Sequence, residues 1–194
     1  MSMESSFPQI KPPENNSDHS FWLNINTSEI RQGDYLPNCL VPMLITPIDE
    51  LSSQLVQPEY DIQMDERDLI VITQSCDLEN KKSRIVALCP IYLISEFEKL
   101  NTDYTKKGKW EEVRKGKIEG LHMLSSPTDS MNNRNALVVD FREIHSLPIE
   151  FVLRHTAKMS DRWRLQSPYL EHFSQSFARV FMRVALPSSI PPFR

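Results

Sequence analysis

The sequence predicts a mainly β, α+β domain. Short strands curl into a small barrel that carries inserted short helices and a closing C-terminal amphipathic helix. Three observations predict this. The apolar runs at residues 69–73, 85–91 and 136–140 are rich in β-branched residues, too short for helices and bounded by polar segments. Fourteen prolines against four glycines leave short strands, whose edges need closure or cover. One stretch, from Leu170 onward, repeats apolar residues every three or four positions.

At 194 residues, 40% hydrophobic and 25% charged, the chain has the size and composition of one globular domain. No apolar run approaches the roughly 20 residues of a membrane helix. The first residues lack the basic-then-apolar pattern of a secretory signal. Three widely spaced cysteines make no disulfide framework, so the expected setting is a reducing cytoplasm without membrane contact. None of the usual glycine-rich phosphate loops occurs.

Residues 1–20 are polar, carry three prolines and read as a tail. The domain is expected over 21–187, with 188–194 as a C-terminal tail. Ordering begins at Phe21, Trp22 and Leu23. Gly33 and Asp34 turn the chain into residues 35–48, where Pro37, Pro42 and Pro47 restrict strands to short or edge positions. Residues 49–66 read as an acidic loop insertion. Residues 69–73 form a strand buried on both faces, and after a short polar interval 85–91 form its antiparallel neighbour. Residues 95–120 are a basic helical insertion, opened by a capping box of Ser95 and Glu98 and continued by a helix near 109–115. Residues 121–124 make a brief strand, and 136–140 a strong one that runs on through Phe141, Glu143 and His145. Pro148 turns the chain, and 151–153 read as a further strand. Ser167 is placed to cap the last helix, with Pro168 in its first turn. Leu170, Phe173, Phe177, Val180, Phe181 and Val184 face the core, His172, Arg179 and Arg183 face away, and Pro187 ends it.

Charge is divided unevenly. Residues 1–66 hold 11 acidic and two basic residues, a net of −9, and the remainder hold 20 basic and 15 acidic, a net of +5. Either the acidic part covers the basic part, or the basic part meets an acidic partner. Lys106, Lys107, Lys109, Arg114, Lys115 and Lys117 surround Trp110, a set that could hold phosphate while Trp110 stacks on a base. Equally, Trp110 could anchor a solvated helix. Arg162, Arg164, Arg179 and Arg183 form a second basic set, suited to phosphate or to the acidic N-terminal part. Thr73, Gln74, Ser75, Cys76 and Asp77 follow a buried strand and should sit at a rim. They form either a site where Cys76 or Asp77 contacts a ligand, with Cys76 a reactive thiol if His145 or His155 assists it, or a polar turn capped by Asp77 in which Cys76 is a small buried side chain. No Cys or His spacing fits a metal site, and no cofactor is expected.

Gly33-Asp34-Tyr35, the string from Arg67 to Thr73, Leu88-Cys89-Pro90-Ile91, residues 136–144 and the terminal helix together resemble the PemK/MazF (Kid-like) family. The likeness covers residues 33 to about 185, with an insertion between Pro42 and Asp65. It implies an SH3-like barrel, metal-independent endoribonuclease activity on RNA of toxin–antitoxin or phage-defence type, a homodimer and an antitoxin-like protein partner. Its catalytic roles would fall to Arg67, Asp140 and Arg142, as base and phosphate-stabilising cations. The sequence departs from the family at Asp68, where proline is usual, at Tyr92, where threonine is common, and at Val138, where the family has arginine. These departures leave a second expectation, a catalytically inactive adaptor that binds another protein through the barrel.

Overall fold

The computed structural model describes residues 20–44, 62–80 and 82–182. Among them the chain is a mixed α+β structure of eight strands and five short α-helices. The strands are β1 (Trp22–Ile25), β2 (Tyr35–Leu44), β3 (Ile62–Val71), β4 (Ile85–Leu93), β5 (Leu121–Leu124), β6 (Leu137–Asp140), β7 (His145–Pro148) and β8 (Arg162–Leu165). The helices are α1 (Ser75–Glu79), α2 (Ile94–Leu100), α3 (Lys109–Arg114), α4 (Ile149–Thr156) and α5 (Tyr169–Phe181).

The last residues of β3, Leu69–Val71, and the middle of β4 organise the molecule, because they are buried on two faces as their apolar runs predict. On one face Ile70, Ile72, Cys89 and Ile91 join Val139, Trp22, Leu165 and Phe173 under α5. On the other, Leu69, Val71, Val86 and Leu88 pack with Val152 of α4 and Leu78 of α1. The large sheet runs antiparallel in the order β2-β3-β4-β6-β5. β7 follows β6 along the same edge of β4, but the register slips. Ile91 pairs with Val139 and Leu88 with His145, so three extra residues bulge out between β6 and β7. Pro90 faces that bulge. Ile72 donates to Ala87, and this phase points the nitrogen of residue 90 away from β3, where proline has no hydrogen to leave unpaired.

β1 and β8 pair separately. Leu165 N donates to Gly33 O (3.0 Å) and Val71 N to Asp34 O (3.0 Å), so residues 33–34 lie between β8 and β3. Gly33 is needed there: its φ is +83°, and a Cβ would stand 2.9 Å from Leu165 and Leu170 atoms. Trp22 Nε1 reaches back to Ser125 O (2.7 Å), just beyond β5. Among the described residues no ladder joins β1 to β5.

A buried charge cluster locks this junction. Asp34 is fully buried and pairs with Arg162 and Arg164. The two arginines also donate to the carbonyls of Thr27 and Glu29. Of the two partners open to this arginine pair, the acidic N-terminal part is the one the fold supplies.

Several expectations need correction. β3 begins at Ile62, so residues 62–66 of the expected acidic loop belong to a strand. β2 is an edge strand, as its prolines require, but it is ten residues long and absorbs Pro37 in an irregularity between Leu36 and Cys39. β6 stops at Asp140 and the chain turns, because Asp140 accepts the Arg142 main-chain N–H. Residues 151–153 lie in helix α4, where Val152 and Thr156 are buried one turn apart. Helix α2 opens one residue before Ser95, straight out of β4. Its first donor, Leu93 N, goes to Glu96 rather than to the Ser95–Glu98 box. Ser167 makes no cap to α5, whose first amides go to Gln166 O. Phe181 lies 57% exposed instead of facing the core. The expected tails, residues 49–61 of the acidic insertion, Arg183, Val184 and Pro187 lie outside the described residues.

Candidate functional site

Alternation along the strands puts Arg67 on the face of Leu69 and Val71, Tyr92 on that of Leu88, Asp140 on that of Val138 and His145 on that of Leu147. This is the face that α4 covers at one end. At the other end α2 and α3 cover it, through Phe97, Val113, Leu121 and Val138. Between the two covers runs a polar stripe.

Glu143, in the bulge, is its centre. Arg67 Nη1 donates to Glu143 Oε1 (2.9 Å), and Arg67 Nε to Asp65 (2.9 Å). His145 Nε2 lies 3.1 Å from the same Glu143 oxygen but out of line for a hydrogen bond, a buried nitrogen left without a partner. Burial holds the His145 pKa below its ordinary value, against the pull of the Glu143 charge, so the ring is neutral near pH 7. Tyr92 sits within the fields of Glu143, Arg67 and Asp140. Burial, helped by Glu143, raises its pKa, which keeps the phenol a hydrogen-bond donor.

Asp140 and Arg142 form the second pair. Two parallel bonds, Nε to Oδ1 (2.7 Å) and Nη2 to Oδ2 (2.6 Å), lock the guanidinium to the carboxylate, and Tyr104 also contacts it. Arg142 crosses Gly120, whose φ is +84° and whose missing Cβ would stand 2.6 Å from Arg142 Cγ. Beneath the stripe, burial first and then Asp140 and Glu143 push the Cys89 thiol up to about 12.

Of the three residues singled out for catalysis, Arg67 and Asp140 share one sheet face beside Tyr92, while Arg142 lies past the turn and reaches the stripe through its two bonds to Asp140. Arg67 meets Asp65 and Glu143, and Arg142 meets Asp140. Glu143, Asp65 and Tyr104 are members that reasoning from the sequence missed. The alternation of Phe141, Glu143 and His145 was the available signal, but a bulge, not a continuous strand, brings Glu143 to Arg67.

The rim string works as a joint. Thr73 Oγ1 accepts from Ala87 N (2.7 Å), Ser75 Oγ from Gln32 N (3.1 Å), and the Gln74 carbonyl from Asp77 N (3.1 Å). Cys76 is exposed, not a small buried side chain, because α1 turns Leu78 inward in its place. Its sulfur lies 3.7 Å from Gln74 Oε1 and 3.9 Å from Asp77 Oδ1. His155 is taken by Pro37 O (2.9 Å) and His145 stands beside Glu143. Six residues of strand separate Thr73 from Arg67, about 20 Å at 3.3 Å each, so the rim string lies at the other end of the stripe from Arg67, on the side where His145 pairs with Leu88.

In the basic insertion, Trp110 packs against Phe97 and Tyr104 and donates its indole N–H to Glu98 (2.8 Å), which makes it a helix anchor. Lys106 pairs with Asp103, Lys109 with Glu112, and Arg114 and Lys115 both with Glu111. Lys107 and Lys117 have no ion pair among the described residues. Among those residues no group of three His, Cys, Asp or Glu side chains is placed to hold a metal, and no helix is long and apolar enough to cross a membrane.

No protein-family model and no curated protein matches this chain.

Proposed function

We propose that the chain is a barrel protein of PemK/MazF type that cleaves RNA without a metal, using the stripe around Glu143. The observation that carries this reading is the contact of one bulge carboxylate with both Arg67 and His145, beside a phenol that remains a donor. Attack of a ribose 2′-hydroxyl on the adjoining phosphate needs three things: a base for the hydroxyl proton, positive charge for the phosphoryl oxygens and a proton for the leaving 5′-oxygen. Glu143 is the base that takes the hydroxyl proton, and the neutral imidazole of His145 beside it receives that proton and returns it to the leaving 5′-oxygen. Arg67 exchanges its carboxylate partner for the phosphate as substrate arrives, Tyr92 donates to a phosphoryl oxygen, and Arg142 lies along the strand path. The seam between β1 and β5 is where this barrel closes.

The test is cleavage of mixed-sequence RNA in EDTA by the full chain and by Glu143→Gln and Arg67→Ala. General-base and charge-stabilising roles predict losses of about 10²-fold or more in each. Absence of cleavage by the folded wild-type chain overturns the reading. A second reading, an inactive adaptor for another protein, is favoured by a specific observation: carboxylates already occupy the donor forks of Arg67 and Arg142. Recovery of one stoichiometric protein partner by a chain that cleaves no RNA supports it.

A further inference from the structure

The outer edge of β5 borders a cavity of about 600 Å³, roofed by the end of α3 on one side and by α5 on the other. Phe141 N donates to Gly120 O (2.7 Å), which sets the phase of the β5–β6 ladder. Gly120, His122 and Leu124 turn their main-chain groups towards β6, so Leu121 and Met123 turn theirs outward, into the cavity they line. No strand pairs with that edge among the described residues.

The walls are of two kinds. Phe21 and Tyr169 stack with ring centroids 3.6 Å apart and present an aromatic side. Lys115 comes from the end of α3, and His172 and Arg179 from one face of α5, two turns apart. Arg179 has no carboxylate partner among the described residues, and Lys115 shares Glu111 with Arg114. Glu119 is the acidic side chain on the wall. His122 is neutral: burial first, with His172 adding to it, takes it down to about 4. A smaller adjoining cavity shares the wall at Ile118, Glu119 and Gly120 and reaches Arg142.

We propose that this cavity binds a nucleoside phosphate, free or as the end of a nucleic-acid strand. The base lies against the Phe21–Tyr169 side and is read by the outward N–H and C=O groups of Leu121 and Met123. Arg179, Lys115 and His172 hold the phosphate. The volume falls within the usual range of roughly 300–1,000 Å³ for small-ligand sites. A purely apolar ligand would leave the outward strand groups buried and unpaired. A bare anion would leave the aromatic side unused. The site is separate from the Glu143 stripe and does not require cleavage there.

Titration calorimetry on the full chain tests it, with AMP, GMP, CMP, UMP and inorganic phosphate, and with a 5′-phosphorylated ribotetranucleotide beside its unphosphorylated form. The expected result is saturable 1:1 binding of at least one nucleotide, more tightly than phosphate. Arg179→Ala should weaken it about tenfold or more, as loss of a charge-assisted contact does. Preference for the mononucleotide assigns a free ligand, and preference for the 5′-phosphorylated oligonucleotide assigns a strand end. Three results overturn the proposal: no binding by any nucleotide or oligonucleotide, phosphate binding as tightly as the nucleotides, or unchanged affinity in Arg179→Ala/Lys115→Ala. Binding is read without turnover, so its failure beside intact RNA cleavage removes this site alone, and the reverse outcome removes only the ribonuclease.

Discussion

Asp34→Ala deletes a carboxylate that water does not reach and that accepts four hydrogen bonds. They come from Arg31 N (3.2 Å), Arg162 Nε (2.9 Å), Arg164 Nη2 (2.9 Å) and Arg164 Nε. The Arg162 side chain, 3% exposed, is left as a buried cation facing only the Thr27 and Glu29 carbonyls. Breaking a buried pair on one side costs about 3–5 kcal/mol. In a chain of this size each kcal/mol moves Tm by roughly 2–4 °C, so a fall of about 6–20 °C follows. Urea unfolding followed by tryptophan fluorescence is a suitable assay, since Trp22 and Trp163 lie on the two strands the cluster ties down. The triple variant Asp34→Leu/Arg162→Met/Arg164→Leu should recover most of the loss, because it leaves no unpaired charge. A loss below about 1 kcal/mol in Asp34→Ala would refute the view that this cluster locks the β1–β8 pair to the large sheet.

Other outcomes follow from the same structure. Trp110→Ala should destabilise the fold by about 2–4 kcal/mol in the same unfolding assay, as truncation of a packed aromatic does. A thiol reagent should label one cysteine fast in the native protein, Cys76, and three in denaturant, because Cys39 and Cys89 are fully buried. Burial raises those two thiols to about 11 and about 12. Unfolded thiols ionise near 8.5, so the unfolded state releases protons first and stability should fall as pH rises from about 9 towards 12. The Cys39→Ala/Cys89→Ala variant should show a shallower alkaline slope. At the acid end His122 is held neutral down to about 4, while the unfolded ring protonates near 6.5. The unfolded state therefore binds the proton first, and stability should fall as pH drops through that window, less so in His122→Gln.

Physical reasons separate the parts that were legible in the sequence from those that were not. β3 and β4 could be read directly, because a β-branched run buried on both faces leaves an uninterrupted apolar string. Helix α5 could be read from its period, although only Phe173 is fully buried and Phe181 has rotated out to solvent. Helix α4 was hidden because its apolar residues, Ile149, Phe151, Val152 and Leu153, crowd into one turn and carry no visible period. β1 and β8 were hidden because Arg162 and Arg164 break the apolar pattern of a buried strand, and the carboxylate that neutralises them there, Asp34, lies 128 and 130 residues away. Arg67, Asp140 and Arg142 were singled out through the family resemblance, and the fold sets Arg67 and Asp140 on one sheet face with Arg142 bonded to Asp140. Glu143 was not, since its role depends on three extra residues in one strand, and register slips leave no mark in local composition. The odd string from Thr73 to Asp77 drew attention for its chemistry, and the fold uses all five residues as hydrogen-bond acceptors at a strand-to-helix joint.

The most direct test of the Glu143 stripe as a catalytic centre is the chemistry of the RNA ends. Mixed-sequence RNA incubated with the full chain in EDTA should yield fragments with 2′,3′-cyclic phosphate and 5′-hydroxyl ends, and Glu143→Gln should yield almost none. Intact RNA with the folded wild-type chain, or equal cleavage by Glu143→Gln, would contradict the account.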